Sequence, residues 1–251
     1  MDLSVVIMTF NEERNIGRCL ASVKDIADNI VVVDTFSTDD TEKICRSFGA
    51  DFIKKRPWAG DALTRNFGAT QAKHDLVLTL DADEELSSEL RRSIAAIKAG
   101  TEALSPAKFI RITNYCGKWI RHGGWYPDIK IRIYDRRKMQ WQGIIHADLE
   151  GEGKNRALLL DGVCHHFSYY SIAEHIAKTK RYADLYGREL FAKGKRSSLL
   201  HMVFNPVIKF VRDYFFRFGF LDGKSGLVIA WITARGTFLK HATLCRLQRG
   251  G

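Results

Sequence analysis

No two of the five cysteines in this 251-residue chain form a C-x-x-C pair. Cys19, Cys45, Cys116, Cys164 and Cys245 are scattered, and their number is odd. That argues against a disulfide scaffold or a zinc ribbon, and reduced thiols in a cytoplasmic protein are expected. Long apolar runs are missing too. No stretch free of charged residues exceeds 12, the length of residues 197–208, whereas a spanning helix needs about 20 apolar residues. The opening MDLSVVIMTFNEE has no basic n-region, and its apolar run is too short for a signal peptide. It reads as a buried first strand. With 45% hydrophobic and 27% charged residues, the chain is not globally disordered and can bury one or two cores.

The net charge of +10 is carried by the last third. Residues 1–177 hold 24 Lys+Arg against 25 Asp+Glu, whereas 178–251 hold 15 against 4, or +11. There the basic residues interleave with Phe210, Tyr214, Phe215, Phe216, Phe218, Phe220 and Trp231. That mixture suits an anionic headgroup interface, with Lys209, Arg212 and Arg217 as its expected contacts, or a phosphorylated substrate.

Strand and helix signals alternate over the first hundred residues. Strands are predicted at 3–8, 29–34, 51–54 and 76–80, and helices at 11–23, 41–48 and 61–72. The strands are continuous apolar runs rather than period-2 patterns, which predicts an α/β fold with a mostly parallel sheet buried on both faces. Later strands are predicted at 107–114, 129–134 and 157–160. A capping box at Ser171–Glu174 opens a helix to about residue 190. Residues 193–198 (KGKRSS) are the best linker, and a helix-rich tail follows. The expected division is 1–100, 101–192 and 193–251.

Ligands of open α/β sheets bind at the carboxyl ends of strands. Asp34 closes NIVVVD, Asp81 and Asp83 close LVLTLDAD, and TFNEE leaves the first strand. A D-x-D pair at a strand end suits a hard divalent cation shared with substrate phosphates. The same acids, followed by Glu84-Glu85, also fit a helix N-terminus.

Taken in order, TFNEE, VVVDTFSTDDT, TRNFG and LDADEE resemble the pattern of glycosyltransferase family 2 over about the first 100 residues. The stretches NYCGKWIRHGGWYPDIKIRIYDRR, HADL, HHFSYYS and GFLDG are similar to bacterial transferases that build the lipopolysaccharide core. The resemblance implies a GT-A fold and an inverting, metal-dependent transfer from a nucleotide sugar, a UDP-sugar by the family's habit, with Mg²⁺ or Mn²⁺. Thr9, Asn11 and Glu13 would line the nucleoside pocket. Asp34 would accept from base or ribose, and Arg65 would reach the diphosphate. Asp81 would face ribose or metal, and Asp83 would hold the metal with His166 completing its shell. The base would be Asp148, in a HADL that departs by one residue from the usual H-E, or Asp128 in WYPD. Trp119, Trp125, Tyr126 and Trp141 could form a sugar platform or be core, and Gly123-Gly124 could belong to a loop closing over a ligand.

The implied acceptor is a lipopolysaccharide-core or lipid-linked saccharide, met in the cytoplasm or peripherally on the inner face of the membrane. Transfer to a polyprenyl phosphate is the nearest alternative. A sugar nucleotidyltransferase would open with a Gly-rich loop where this chain reads TFNEERN. A nucleic-acid-binding protein would explain the charge, but no such motif is present, so no nucleic-acid partner is expected.

Overall fold

The computed structural model describes residues 1–54, 60–100, 106–143 and 147–249. In chain order its elements are β1 (Leu3–Thr9), α1 (Ile16–Val23), β2 (Asn29–Asp34), α2 (Thr41–Ser47), β3 (Asp51–Lys54), α3 (Asp61–Gln71) and β4 (Leu76–Asp81). Then come β5 (Glu84–Leu86), α4 (Ser88–Ala99), β6 (Ala107–Tyr115), β7 (Lys118–Trp119), β8 (Asp128–Asp135), β9 (Met139–Gln142) and β10 (Asp148–Gly151). The chain ends with β11 (Leu158–Tyr169), α5 (Ile172–Ala192), α6 (Leu199–Val211) and α7 (Gly223–Arg249).

Val5, Val6, Ile7, Val31, Val32 and Val33 are wholly buried, which is why β1 and β2 show no alternation. The strands order as β3-β2-β1-β4-β8-β6-β11-β5. The pairs among β1 to β4 are parallel, as the early alternation predicts, and β8 joins β4 antiparallel. α3 lies close on the sheet because Gly68 faces Val6 and Val33. A Cβ there would stand 2.5 Å from Val6 Cγ1.

The chain divides into two units, Met1–Arg111 with Asp128–Phe167, and Ile112–Pro127 with Ser168–Gly251. In the first, two apolar clusters pack against the sheet; Leu78 and Phe109 belong to one, Val77 and Trp141 to the other. In the second, Tyr115, Ile120 and Ile229 form the core. Trp125 stacks on Tyr169 with ring centroids 5.6 Å apart, and buried His175 stands 3.1 Å from the Tyr115 hydroxyl. Burial, helped by Lys178, pushes the His175 pKa down to about 4. The GFLDG turn is held by buried Asp222, whose carboxylate accepts the backbone N–H groups of Arg121 and His122.

Three expectations change. The predicted helix at 11–23 starts only at Ile16, because Asn11 takes a left-handed φ of 52° and bonds to the loop after β2. Glu84 and Glu85 form strand β5 rather than a helix start, since β11 supplies a pairing edge. Of the two readings of the aromatic cluster, core holds for Trp141, which packs on Tyr134, and for Trp125, which packs on Tyr169. Gly124 abuts Asp213, leaving no room for a Cβ, so Gly123-Gly124 is a packed turn. Among the described residues no helix is long and apolar enough to cross a membrane.

Candidate active site at the carboxyl edge of the sheet

Parallel register brings three strand ends level. Thr9 stands opposite Asp34, and Met8 opposite Asp81. Thr9 is buried, and its hydroxyl has no hydrogen-bond partner.

The loops after β1 and β2 are laced together. Asn11 N–H donates to Ser37 Oγ (2.7 Å), and Asn11 Oδ1 accepts from Thr38 N–H (2.8 Å). Glu13 Oε2 accepts from Asp40 N–H (3.1 Å). Asp34 is fully buried and accepts from the Phe36 and Ser37 backbones, both at 2.9 Å, and from the Ser37 hydroxyl. These residues therefore shape the rim of the edge, and Asp34 spends its carboxylate on its own turn.

Beside them lies an ionic network. Arg65 on α3 bonds to Asp81 Oδ1 and lies over the Trp141 ring, 4.9 Å from its centroid. Asn66 fixes that ring's backbone through bonds of 2.8 and 2.9 Å. Asp81 Oδ2 lies 3.2 Å from Arg132 and 3.8 Å from Arg111. Buried Glu84 accepts from Arg111 (2.9 Å) and Arg132 (3.1 Å), and takes the Asp81 N–H (2.8 Å). Burial alone would raise the Asp81 pKa, but Arg65, Arg132 and Arg111 outweigh it and hold the carboxyl well below the usual range. Both oxygens being engaged by guanidinium groups, Asp81 is not free to ligate a metal as expected. Glu84, Arg111 and Arg132 were not foreseen. The available signal was an arginine inside each of the apolar strands FIRIT and IKIRIYD.

Asp83 points elsewhere. Pairing of β11 with β5 sets His166 opposite Glu84, and His166 Nε2 comes within 3.3 Å of Asp83 Oδ2. His165 alternates to the other face, 3.9 Å from Glu85. Among the described residues no group of three or more His, Cys, Asp or Glu is placed to hold a metal ion. A carboxylate and an imidazole side by side still fit a Mg²⁺ or Mn²⁺ whose other positions are filled by diphosphate oxygens and water.

The two base candidates differ in surroundings. Asp128 is gripped by Arg111 through Nε (2.8 Å) and Nη2 (2.6 Å), with Lys130 at 3.4 Å. Burial would raise its pKa; Arg111 and Lys130 override this and lower it. Asp148, on β10, is exposed, with Lys154 Nζ at 3.7 Å. His146 of the same motif lies outside the described residues.

These shifts predict a two-stage acid limb. His175 is held neutral, so the stability it contributes is lost as pH falls from about 6.5 toward 4. Asp81 and Asp128 have lowered pKa values, so theirs is intact above about 3.9 and is lost only below it. Denaturant midpoints measured against pH should show both stages, and His175→Phe should erase the first alone. A single stage unchanged by that substitution would contradict the assignment.

Among the described residues, Thr9 Oγ1, Arg65 Nη1 and Arg132 Nε are buried side-chain atoms without a hydrogen-bond partner. Arg65 and Arg132 both meet Asp81, whose partner in register, Met8, adjoins Thr9, so the three atoms lie where a polar ligand or water would complete the bonding.

Comparison with known proteins agrees. The family model described as glycosyl transferase family 2 matches residues 4–152. An uncharacterised glycosyltransferase of Rickettsia typhi is 32% identical, the match covering 98% of this chain and 87% of that one. The lipopolysaccharide core biosynthesis glycosyltransferase LpsC of Rhizobium meliloti is 27% identical, over 98% and 95%. Among solved structures, the glucosyl-3-phosphoglycerate synthase of Mycobacterium tuberculosis, in complex with Mn²⁺ and UDP-glucose, aligns with a TM-score of 0.37 and 21% identity over 45% of this chain and 44% of that one. The chain therefore belongs to glycosyltransferase family 2.

Proposed function

We propose that the protein moves a hexose from a UDP-sugar to a saccharide of the lipopolysaccharide core or another lipid-linked acceptor, with inversion at the anomeric carbon. The observation that carries the reading is the strand edge where Thr9 Oγ1 and Arg65 Nη1 stand buried and unpartnered, Arg65 being held by Asp81 and the Asp83–His166 pair following two residues on in the chain. Asn11, Glu13 and Asp34 hold the rim against which the nucleoside lies. Arg65, aimed by Asp81 and backed by Trp141, donates its second amino group to the diphosphate as a charge-assisted bond. Asp83 and His166 would hold the divalent cation, which when bound supplies charge neutralisation of the leaving diphosphate.

The acceptor hydroxyl then attacks the anomeric carbon. A new C–O bond forms as the bond to the diphosphate breaks, and that electron pair leaves on the diphosphate oxygen. Asp148 takes the hydroxyl proton, since Asp128 is neutralised by Arg111 and Lys130. Holding donor and acceptor in line supplies the rest of the acceleration. A lipid-linked acceptor would be met at an anionic membrane surface, where the +11 of residues 178–251 supports peripheral contact.

Thermal-shift screening against UDP-, GDP- and ADP-sugars, with and without Mn²⁺, tests the donor. A ligand that binds only the native state raises apparent stability by RT ln(1 + [L]/Kd). UDP-sugars should stabilise the protein, and more strongly with Mn²⁺. An equal response to GDP-sugars would overturn the base assignment, and silence to all three would overturn the donor reading.

A further inference from the structure

Helix α6 turns an apolar stripe outward. Leu200, Val203, Phe204, Val207 and Ile208 recur at i, i+3, i+4, i+7 and i+8, the spacing of an ordinary core-facing stripe. Yet all five are 55–67% exposed, and no residue of α6 is buried. The half-buried side of the helix carries Met202, Asn205, Pro206, Lys209 and Phe210. Asn205 Nδ2 lies 2.9 Å from His241 Nε2 on α7, and the His201 ring stacks on His241. Lys209 reaches Asp213 at 2.7 Å. Past the helix end, Phe215, Phe216, Phe218, Phe220 and Leu221 are exposed as well. A cavity of ≈ 370 Å³ lined by Pro206, Val207, Phe210, Trp231, Arg235 and Phe238 shares Val207 with the stripe. An apolar surface of this extent on a soluble unit marks an interaction site.

Charge decides which partner covers it. Residues 193–249 hold 11 Lys+Arg against two acids, Asp213 and Asp222. Lys209 and Arg212, expected from the sequence to meet headgroups, both pair with Asp213. Asp222 is engaged by His122. Lys195, Arg196, Arg217, Lys224 and Arg235 are exposed, with no carboxylate at ion-pair distance among the described residues. Lys195 and Arg196 precede α6, Arg217 follows it, and Arg235 lines the cavity. A second copy would bring the same excess of cations face to face, which costs free energy. An anionic leaflet complements both the apolar stripe and its basic rim.

We infer that α6 lies in the interface of an anionic bilayer, with Leu200, Val203, Phe204, Val207 and Ile208 among the acyl chains and Lys195, Arg196 and Arg217 at the phosphates. This rests on the reading that the enzyme works at a membrane, and it names the anchor as apolar insertion rather than charge alone. Because the five side chains are already exposed, polar replacements there leave the fold intact.

The test is co-sedimentation with vesicles of phosphatidylglycerol and phosphatidylethanolamine, at low and high salt, alongside sizing of the free protein. Wild type should bind, and Val203→Asn/Phe204→Asn/Ile208→Asn should bind about 100-fold more weakly with its melting unchanged. Lys195→Glu/Arg196→Glu/Arg217→Glu should flatten the salt dependence. If the apolar triple variant binds as wild type does, α6 is not the anchor, while electrostatic contact survives. If wild type stays free of vesicles at low salt, both readings fail. If it instead forms a dimer that the apolar variant dissociates, the face joins two copies and the inference is overturned.

Discussion

Asp148→Asn is expected to lower kcat by about 10²–10⁴-fold while leaving donor affinity little changed. The argument is one of availability. A general base must hold a lone pair that is not already committed, and its pKa must not be driven far below the working pH. Asp128 fails on the first count and is shifted the wrong way on the second. Arg111 grips it through two nitrogens at 2.8 and 2.6 Å, Lys130 stands at 3.4 Å, and its pKa is lowered. Asp148 projects from β10 with Lys154 at 3.7 Å and is otherwise open to solvent, where an acceptor can reach it. Asp128→Asn should act differently. It removes one carboxylate from a network that balances Arg65, Arg111 and Arg132, so it should cost stability before it costs chemistry. Measuring kcat, donor KM and melting for both variants separates the roles. A stable Asp128→Asn enzyme with the collapsed kcat, beside an active Asp148→Asn, would move the base to the WYPD loop.

β1, β2 and β4 were legible because they bury both faces, so each appears as an unbroken apolar run, and β2 and β4 close on an acid. β2 and β3 fall at the residues expected, and the other early strands within a residue. The arrival of acids at one edge followed from topology alone. The division of labour among those acids did not. Asp34, Asp81 and Asp83 look alike as strand-end carboxylates, yet one closes its own turn, one aims an arginine and one faces a histidine. Each role depends on a partner distant in sequence: Arg132 is 51 residues from Asp81 and His166 is 83 from Asp83. Glu84 read as a helix-start acid because only β11, more than 70 residues on, makes it a strand residue. α6 was hidden for a different reason. Its periodicity is that of a core-facing helix, and periodicity gives the direction of an apolar face but not what covers it.

Asp83→Asn is expected to cut kcat/KM by about 10²–10³-fold with melting in the absence of ligand nearly unchanged. The substitution keeps the size of the side chain and replaces a charged oxygen ligand by a neutral amide, a poor exchange for a hard cation. Arg65, Arg111 and Arg132 take their carboxylates from Asp81 and Glu84, so those pairs stay in place when Asp83 is replaced. Its facing group is His166 Nε2, 3.3 Å away. His166→Gln should therefore weaken Mn²⁺ dependence in the same direction but less, because an amide oxygen can still ligate. Titrating Mn²⁺ into each variant with UDP present separates a ligand from a structural residue. A ligand's loss raises the Mn²⁺ concentration needed for half-maximal activity, whereas a structural residue's loss lowers melting and leaves that concentration alone. Should Asp83→Asn turn over near the wild-type rate without Mn²⁺, the Asp83–His166 pair is not a metal site. Neutralising the diphosphate would then fall to Arg65, whose unpartnered Nη1 already stands at the strand edge.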